Sequence, residues 1–166
     1  MSKRLLKLSQ IVQRHGVWEV SENMQVVYIT DDSLQPDIIY QSIGYSFVTE
    51  FDLDTTGNTY IVIAQCLVKG GLLYLIDSQD TNRPNWYPAY KFSLKDNKIP
   101  SSWLFWYSEE YIETGGVNAI WGYPELILID EHFDGLIERD KKALEIFAFR
   151  KTEIMLESTK RASAPS

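Results

Sequence analysis

Strand-type runs fill the middle of this chain and helical spacing marks its two ends, a distribution that predicts an α+β fold. The expected architecture is an antiparallel, meander-like sheet of about six to eight strands, packed by a short N-terminal helix and a long C-terminal one. Two observations carry it. Tyr60–Val68 and Leu72–Ile76 are apolar runs separated only by Lys69-Gly70-Gly71, too short for the crossover that parallel neighbours need. From Leu136 to Glu157, Leu136, Ile137, Leu144, Phe147, Ala148, Ile154 and Met155 match one long amphipathic helix.

Each element has a local cause. Leu5, Leu8, Ile11 and Val12 recur at three- and four-residue spacing behind Ser2, a suitable cap, and Gly16 follows, so a helix is expected near residues 3–15. Val17–Val20 and Met24–Ile29 are β-branched and aromatic, as strands favour. Asp31–Pro36 reads as a turn, with Pro36 placed to start a short helix over Asp37–Tyr40. Tyr45–Leu53 is expected as a strand, Thr55–Asn58 as a turn, and Tyr60–Val68 and Leu72–Ile76 as central strands buried on both faces. Tyr90–Leu94 alternates and reads as a strand. Ser101 or Ser102 caps an expected short helix through Trp106 to Ile112, stopped by Gly115-Gly116. Val117–Trp121 and Leu126–Ile129 read as short strands around the Gly122-Tyr123-Pro124 turn. Asp130, Glu131 and Asp134 stand ahead of the last helix, where carboxylates suit the dipole. Residues 1–157 are expected as one α+β domain, and the small, polar stretch 158–166 as a disordered tail.

Charge is distributed unevenly. From His15 to Val68 there is no Lys or Arg, yet eight carboxylates: Glu19, Glu22, Asp31, Asp32, Asp37, Glu50, Asp52 and Asp54. Residues 1–15 carry four bases and no acid, residues 16–135 eighteen acids against five bases, and residues 136–166 five acids against seven bases, for a net charge of −7. An acidic middle repels phosphate, which argues against nucleic-acid binding and favours a basic partner. The bland reading is a solvated acidic face that keeps a small domain soluble.

Aromatics crowd the later part. Eleven lie between Trp86 and Tyr123, among them four of the five tryptophans. Most are expected in the core beneath the last helix, with a few left to line a surface pocket. Trp86-Tyr87, beside Arg83 and two prolines, is the pair expected to be exposed.

Catalytic chemistry finds little purchase. Cys66 lies in an apolar run with no cationic neighbour and reads as a small buried hydrophobe. No GxSxG, GxxxxGK[ST] or GxGxxG pattern occurs, and no cofactor is expected. Glu109, Glu110 and Glu113 beside the aromatics leave a carboxylate-pair hydrolase open, since sequence cannot supply the separation such chemistry needs. His15, at the end of the first expected helix, reads as structural. Asp130, His132 and Asp134 would share one face of an extended segment and offer an oxygen-nitrogen-oxygen ligand set, but acids at such a junction are normally helix caps and dipole partners, and no metal is expected. With one cysteine, no Asn-x-Ser/Thr site, no apolar signal core and no apolar run near the roughly 20 residues a membrane span needs, a cytoplasmic protein is expected.

The leading functional expectation is a protein-binding module that docks and inhibits a basic protein, as an immunity or antitoxin-type neutraliser of a nuclease toxin would. Its partner-binding residues are expected among Asp31, Asp32, Asp37, Glu50, Asp52 and Asp54, followed by Trp86, Glu109 and Glu110. One alternative is a small-ligand or metal-dependent site around His132 and the aromatic cluster. Another is a subunit of a larger assembly that uses its aromatics in an obligate contact.

Overall fold

The computed structural model describes residues 6–7, 23–29, 36–44, 51–53, 57–111 and 116–162. Its strands are β1 (Leu6–Lys7), β2 (Gln25–Tyr28), β3 (Thr59–Ile61), β4 (Ala64–Val68), β5 (Gly71–Ile76), β6 (Asn85–Pro88), β7 (Phe92–Asp96), β8 (Leu104–Tyr107) and β9 (Val117–Gly122). The helices are α1 (Ile38–Ser42), α2 (Pro124–Leu128), α3 (Asp130–Ile137) and α4 (Lys141–Ala162), with a 3-10 turn at Ala89–Lys91. The fold is α+β and every strand pairing is antiparallel. The strands form two sheets rather than one: a six-stranded sheet in the order β1-β8-β9-β4-β5-β6 and a three-stranded sheet in the order β3-β2-β7.

The apolar run Tyr60–Val68, expected as one continuous strand, is where the chain changes sheet. Val62 donates its N–H to Met24 O beside the small sheet (2.9 Å), and the next residue, Ile63, donates to Leu75 O in the large one (2.9 Å). Burial on both sides hides the crossing from the hydropathy pattern: Val62, Ile63 and Ala64 are all buried. The hairpin that follows has a two-residue loop, Lys69-Gly70, with both residues at positive φ (49° and 85°), as the right-handed twist of paired strands requires.

Register separates the two faces of the large sheet. Leu104, Gly122, Ala64, Leu75 and Trp86 lie in one row across five strands, and Phe105, Trp121, Gln65, Tyr74 and Tyr87 lie in the next, facing the opposite way. The first row meets the helices. Trp86 stacks on Phe133 of α3 with centroids 5.3 Å apart, and a Cβ at Gly122 would come within 2.9 Å of both Leu126 of α2 and Ala64, so only glycine fits there. The second row meets the small sheet, where the Phe92 ring packs edge-on against Tyr60, Tyr74 and Tyr87 at 6.0–6.4 Å. Of the crowded aromatics, expected mostly in the core, Tyr87, Phe92, Trp103 and Tyr123 are buried, Trp86, Trp106 and Trp121 are half-buried against it, and Tyr107 and Tyr111 are exposed.

Several expected elements differ. Leu6–Lys7, inside the stretch expected as a helix, pair with Leu104 and Phe105, because β8 would otherwise leave its outer backbone groups unpaired; the rest of residues 3–15 lies outside the described residues. Leu104–Tyr107 is a strand instead of a helix, as suits an aromatic run laid against β9. Leu126–Ile129 belongs to α2 for most of its length, since Pro124 presets the first helical turn. The long C-terminal helix is two helices. Arg139 turns the chain with φ 63°, Asp140 N–H bonds back to Gly135 O (2.8 Å), and the Asp140 carboxylate accepts from Ala143 N–H (3.0 Å) to open α4. The backbone of α4 continues to Ala162, into the segment expected as a disordered tail. Residues 17–20 and 45–50 lie outside the described residues, and Phe51–Leu53 have no regular structure. No described helix is long and apolar enough to cross a membrane.

Candidate functional site

At the β6 edge of the large sheet, three pieces of chain distant in sequence enclose a cleft of about 420 Å³. Phe51-Asp52 forms one wall, the end of α3 with Arg139 forms the other, and Trp86 and Tyr87 of β6 lie between. A polar recess of about 240 Å³ adjoins it, lined by Ser78, Gln79, Thr81 and Arg83 of the β5–β6 loop, and the two share Asp52, Asn85 and Arg139.

Hydrogen bonds fix this geometry. Tyr87 OH donates to Asp52 O (3.4 Å), accepts from Asn85 Nδ2 (3.5 Å) and bonds Ser78 Oγ (3.0 Å). Gln79 Nε2 donates to Asp52 Oδ1 (2.6 Å). Arg139 Nη1 donates to Pro84 O (2.5 Å) and Nη2 to Asn85 Oδ1, holding the α3–α4 turn against β6. The loop is anchored from below: Asp77 accepts the N–H groups of Thr81 (3.1 Å) and Asn82 (2.7 Å), and the ammonium of Lys151 in α4 bonds Asp77 (2.7 Å) and Asp80. Burial alone would lower the Lys151 pKa, but the two carboxylates outweigh it and raise the group above its ordinary value.

Of the residues expected to bind a partner, the fold brings Asp52 and Trp86 together at this cleft. Trp86 is half-buried with one face on Phe133, and Tyr87 is fully buried, which corrects the expectation that both are exposed; stacking against α3 and the sheet interior consumes their area. Glu109 and Glu110 are exposed beyond the end of β8, four strands and about 19 Å across the sheet from β6. Asp37 is exposed and caps α1, accepting from Ile39 N–H (2.9 Å) and Tyr40 N–H (3.2 Å). Asp31, Asp32, Glu50 and Asp54 lie outside the described residues.

The expected ligand trio does not converge. Asp130, His132 and Asp134 lie on helix α3, where residues two apart point about 200° from one another, so the acids face solvent while His132 is buried. His132 Nε2 instead shares a 2.7 Å hydrogen bond with the buried Tyr123 OH. Burial depresses the His132 pKa, opposed by the nearby Glu125 carboxylate, and burial raises that of Tyr123. Glu125 itself is clasped by Arg150 through two bonds of 2.6–2.7 Å, which hold its pKa down. No group of three or more His, Cys, Asp or Glu side chains is poised for a metal among the described residues. Cys66 is buried, and burial pushes its thiol pKa up, away from nucleophilic use.

Arg139, Asn85 and Phe51 are the cleft residues that sequence reading missed. A turn signal did exist, an aspartate followed by Lys141-Lys142 in mid-helix, but nothing local announces that residues 51 and 139 line one cleft. Comparison of the chain with protein-family models, curated proteins and solved structures found no match.

Proposed function

We propose that this chain is a protein-binding module that docks a basic protein and blocks it, as an immunity or antitoxin-type neutraliser of a nuclease does. The observation that carries the reading is how the carboxylates are sorted. Asp77, Asp80, Glu125 and Glu153 are spent on Lys151 and Arg150, inside the fold or at its helix contacts. Asp37, Asp52, Glu109 and Glu110 are exposed, and among the described residues none of them takes part in an ion pair. Lys151 and Arg150 thus engage four carboxylates between them, and Asp37, Asp52, Glu109 and Glu110 remain on the surface to carry part of the net charge of −7. Such a field accelerates encounter with a cationic partner, while aromatic area such as Trp86 slows its release.

The test begins with immobilised protein exposed to a lysate of its native host at low salt and eluted with rising salt. A stoichiometric basic protein is expected, whose purified form binds the chain with an association rate that falls as salt rises. An Asp52→Lys/Glu109→Lys/Glu110→Lys variant should bind it at least about tenfold more weakly with an almost unchanged melt. Elution of background alone, or full affinity in the reversal variant, would count against the reading.

A further inference from the structure

The cleft at the β6 edge sets an arginine beside apolar side chains. Its charged groups are Asp52 and Arg139, with Arg83 in the adjoining recess. Of the three arginines whose side chains are described, Arg150 is clasped by Glu125, whereas Arg83 and Arg139 have no carboxylate within ion-pair reach among the described residues. The Arg139 guanidinium is held on two neutral acceptors, Pro84 O and Asn85 Oδ1, which fixes its direction without neutralising it. Its backbone lies at φ 63°, a conformation that favours glycine, so the residue earns its place through its side chain. Phe51 on one side, Ile137 on the other and Trp86 between them supply apolar surface, and the volume of about 420 Å³ lies within the range of small-molecule sites.

We propose that this cleft binds a small amphipathic carboxylate: the carboxylate takes the free donors of Arg139, with Arg83 at the mouth, and the apolar body lies against Phe51, Trp86 and Ile137. Asp52, whose Oδ1 is engaged by Gln79, disfavours multiply charged anions on the same rim. Addition of a peptide strand to β6 fits less well, because that edge is four residues long, follows Pro84 and ends at Pro88. The cleft shares Asp52 and Trp86 with the surface assigned to a basic partner, but Arg139 and Ile137 belong to the cleft alone, so their variants read ligand binding separately.

Titration calorimetry of the full chain with 3-phenylpropionate, its uncharged amide 3-phenylpropanamide, and phenethylamine tests it. The acid is expected to bind, with the amide at least about tenfold weaker and the amine not detected. Arg139→Gly removes the guanidinium while suiting the backbone, and should lower affinity for the acid at least about tenfold with the cooperative melt kept. Ile137→Gln, at a position 56% exposed and tolerant of a polar group, should weaken the acid and the amide alike. No binding of the acid at millimolar concentration, equal binding of acid and amide, or full affinity in Arg139→Gly would overturn the proposal.

Discussion

His132 and Lys151 are two buried basic side chains whose pKa the fold shifts in opposite directions, and they act at opposite ends of the pH scale. The imidazole has a depressed pKa, so its contribution is complete above its ordinary value of about 6.5 and is lost as pH falls from there through the folded value. Glu125, also depressed, loses its contribution in a lower window, below about 4.5. Urea midpoints are therefore expected to fall in two steps on acidification, and His132→Gln should remove the upper step alone. Lys151 is raised, so its contribution is present below about 10.4 and is lost as pH rises through the folded value. Replacing it by methionine leaves Asp77, with a side chain 2% exposed, without its cation, and a loss of about 3 kcal/mol is expected from urea titration. Asp80→Asn, at an exposed partner, should scarcely move the midpoint. A loss in Asp80→Asn equal to that in Lys151→Met would show that the loop does not depend on the buried pair.

Among the elements, those with strong local chemistry were legible in sequence. Pro36-Asp37 gave α1, Lys69-Gly70 gave the β4–β5 hairpin, and the β-branched Met24–Ile29 gave β2. The misread elements are those decided by partners far along the chain. Leu104–Tyr107 becomes a strand because β9 pairs with it, and the passage at Val62-Ile63 is invisible because both sheets are apolar at the crossing. The break between α3 and α4 lay in plain view as Arg139-Asp140-Lys141, masked by the periodicity around it. Asp140→Ala, which removes the acceptor of the Ala143 N–H, should cost about 1 kcal/mol in urea titration. Gly122→Ala should cost about 2 kcal/mol by the same measure, since its Cβ would press on Leu126 and Ala64.

For the molecule as a whole, the α+β class and the acidic surplus were legible, because they depend on composition and periodicity alone. The cleft was legible only in part. Asp52 and Trp86 were singled out by charge and aromatic type, and the fold makes them neighbours, whereas Arg139 reaches the site through tertiary contact. Glu109 and Glu110, grouped with them by chemistry, fall on the far side of the sheet, so an interface that uses both would span about four strand spacings. That span is compatible with a protein partner, whose footprint on one side is of order 800 Å², and exceeds what one small ligand covers.

The most direct test of the binding account is the association rate of the chain with a basic protein recovered from its host, measured at low and moderate salt for wild type and for Asp52→Lys/Glu109→Lys/Glu110→Lys. A steep fall with salt is expected in the wild type and, at low salt, a rate at least about tenfold lower in the variant. Equal rates in the two proteins, or rates indifferent to salt, would contradict it.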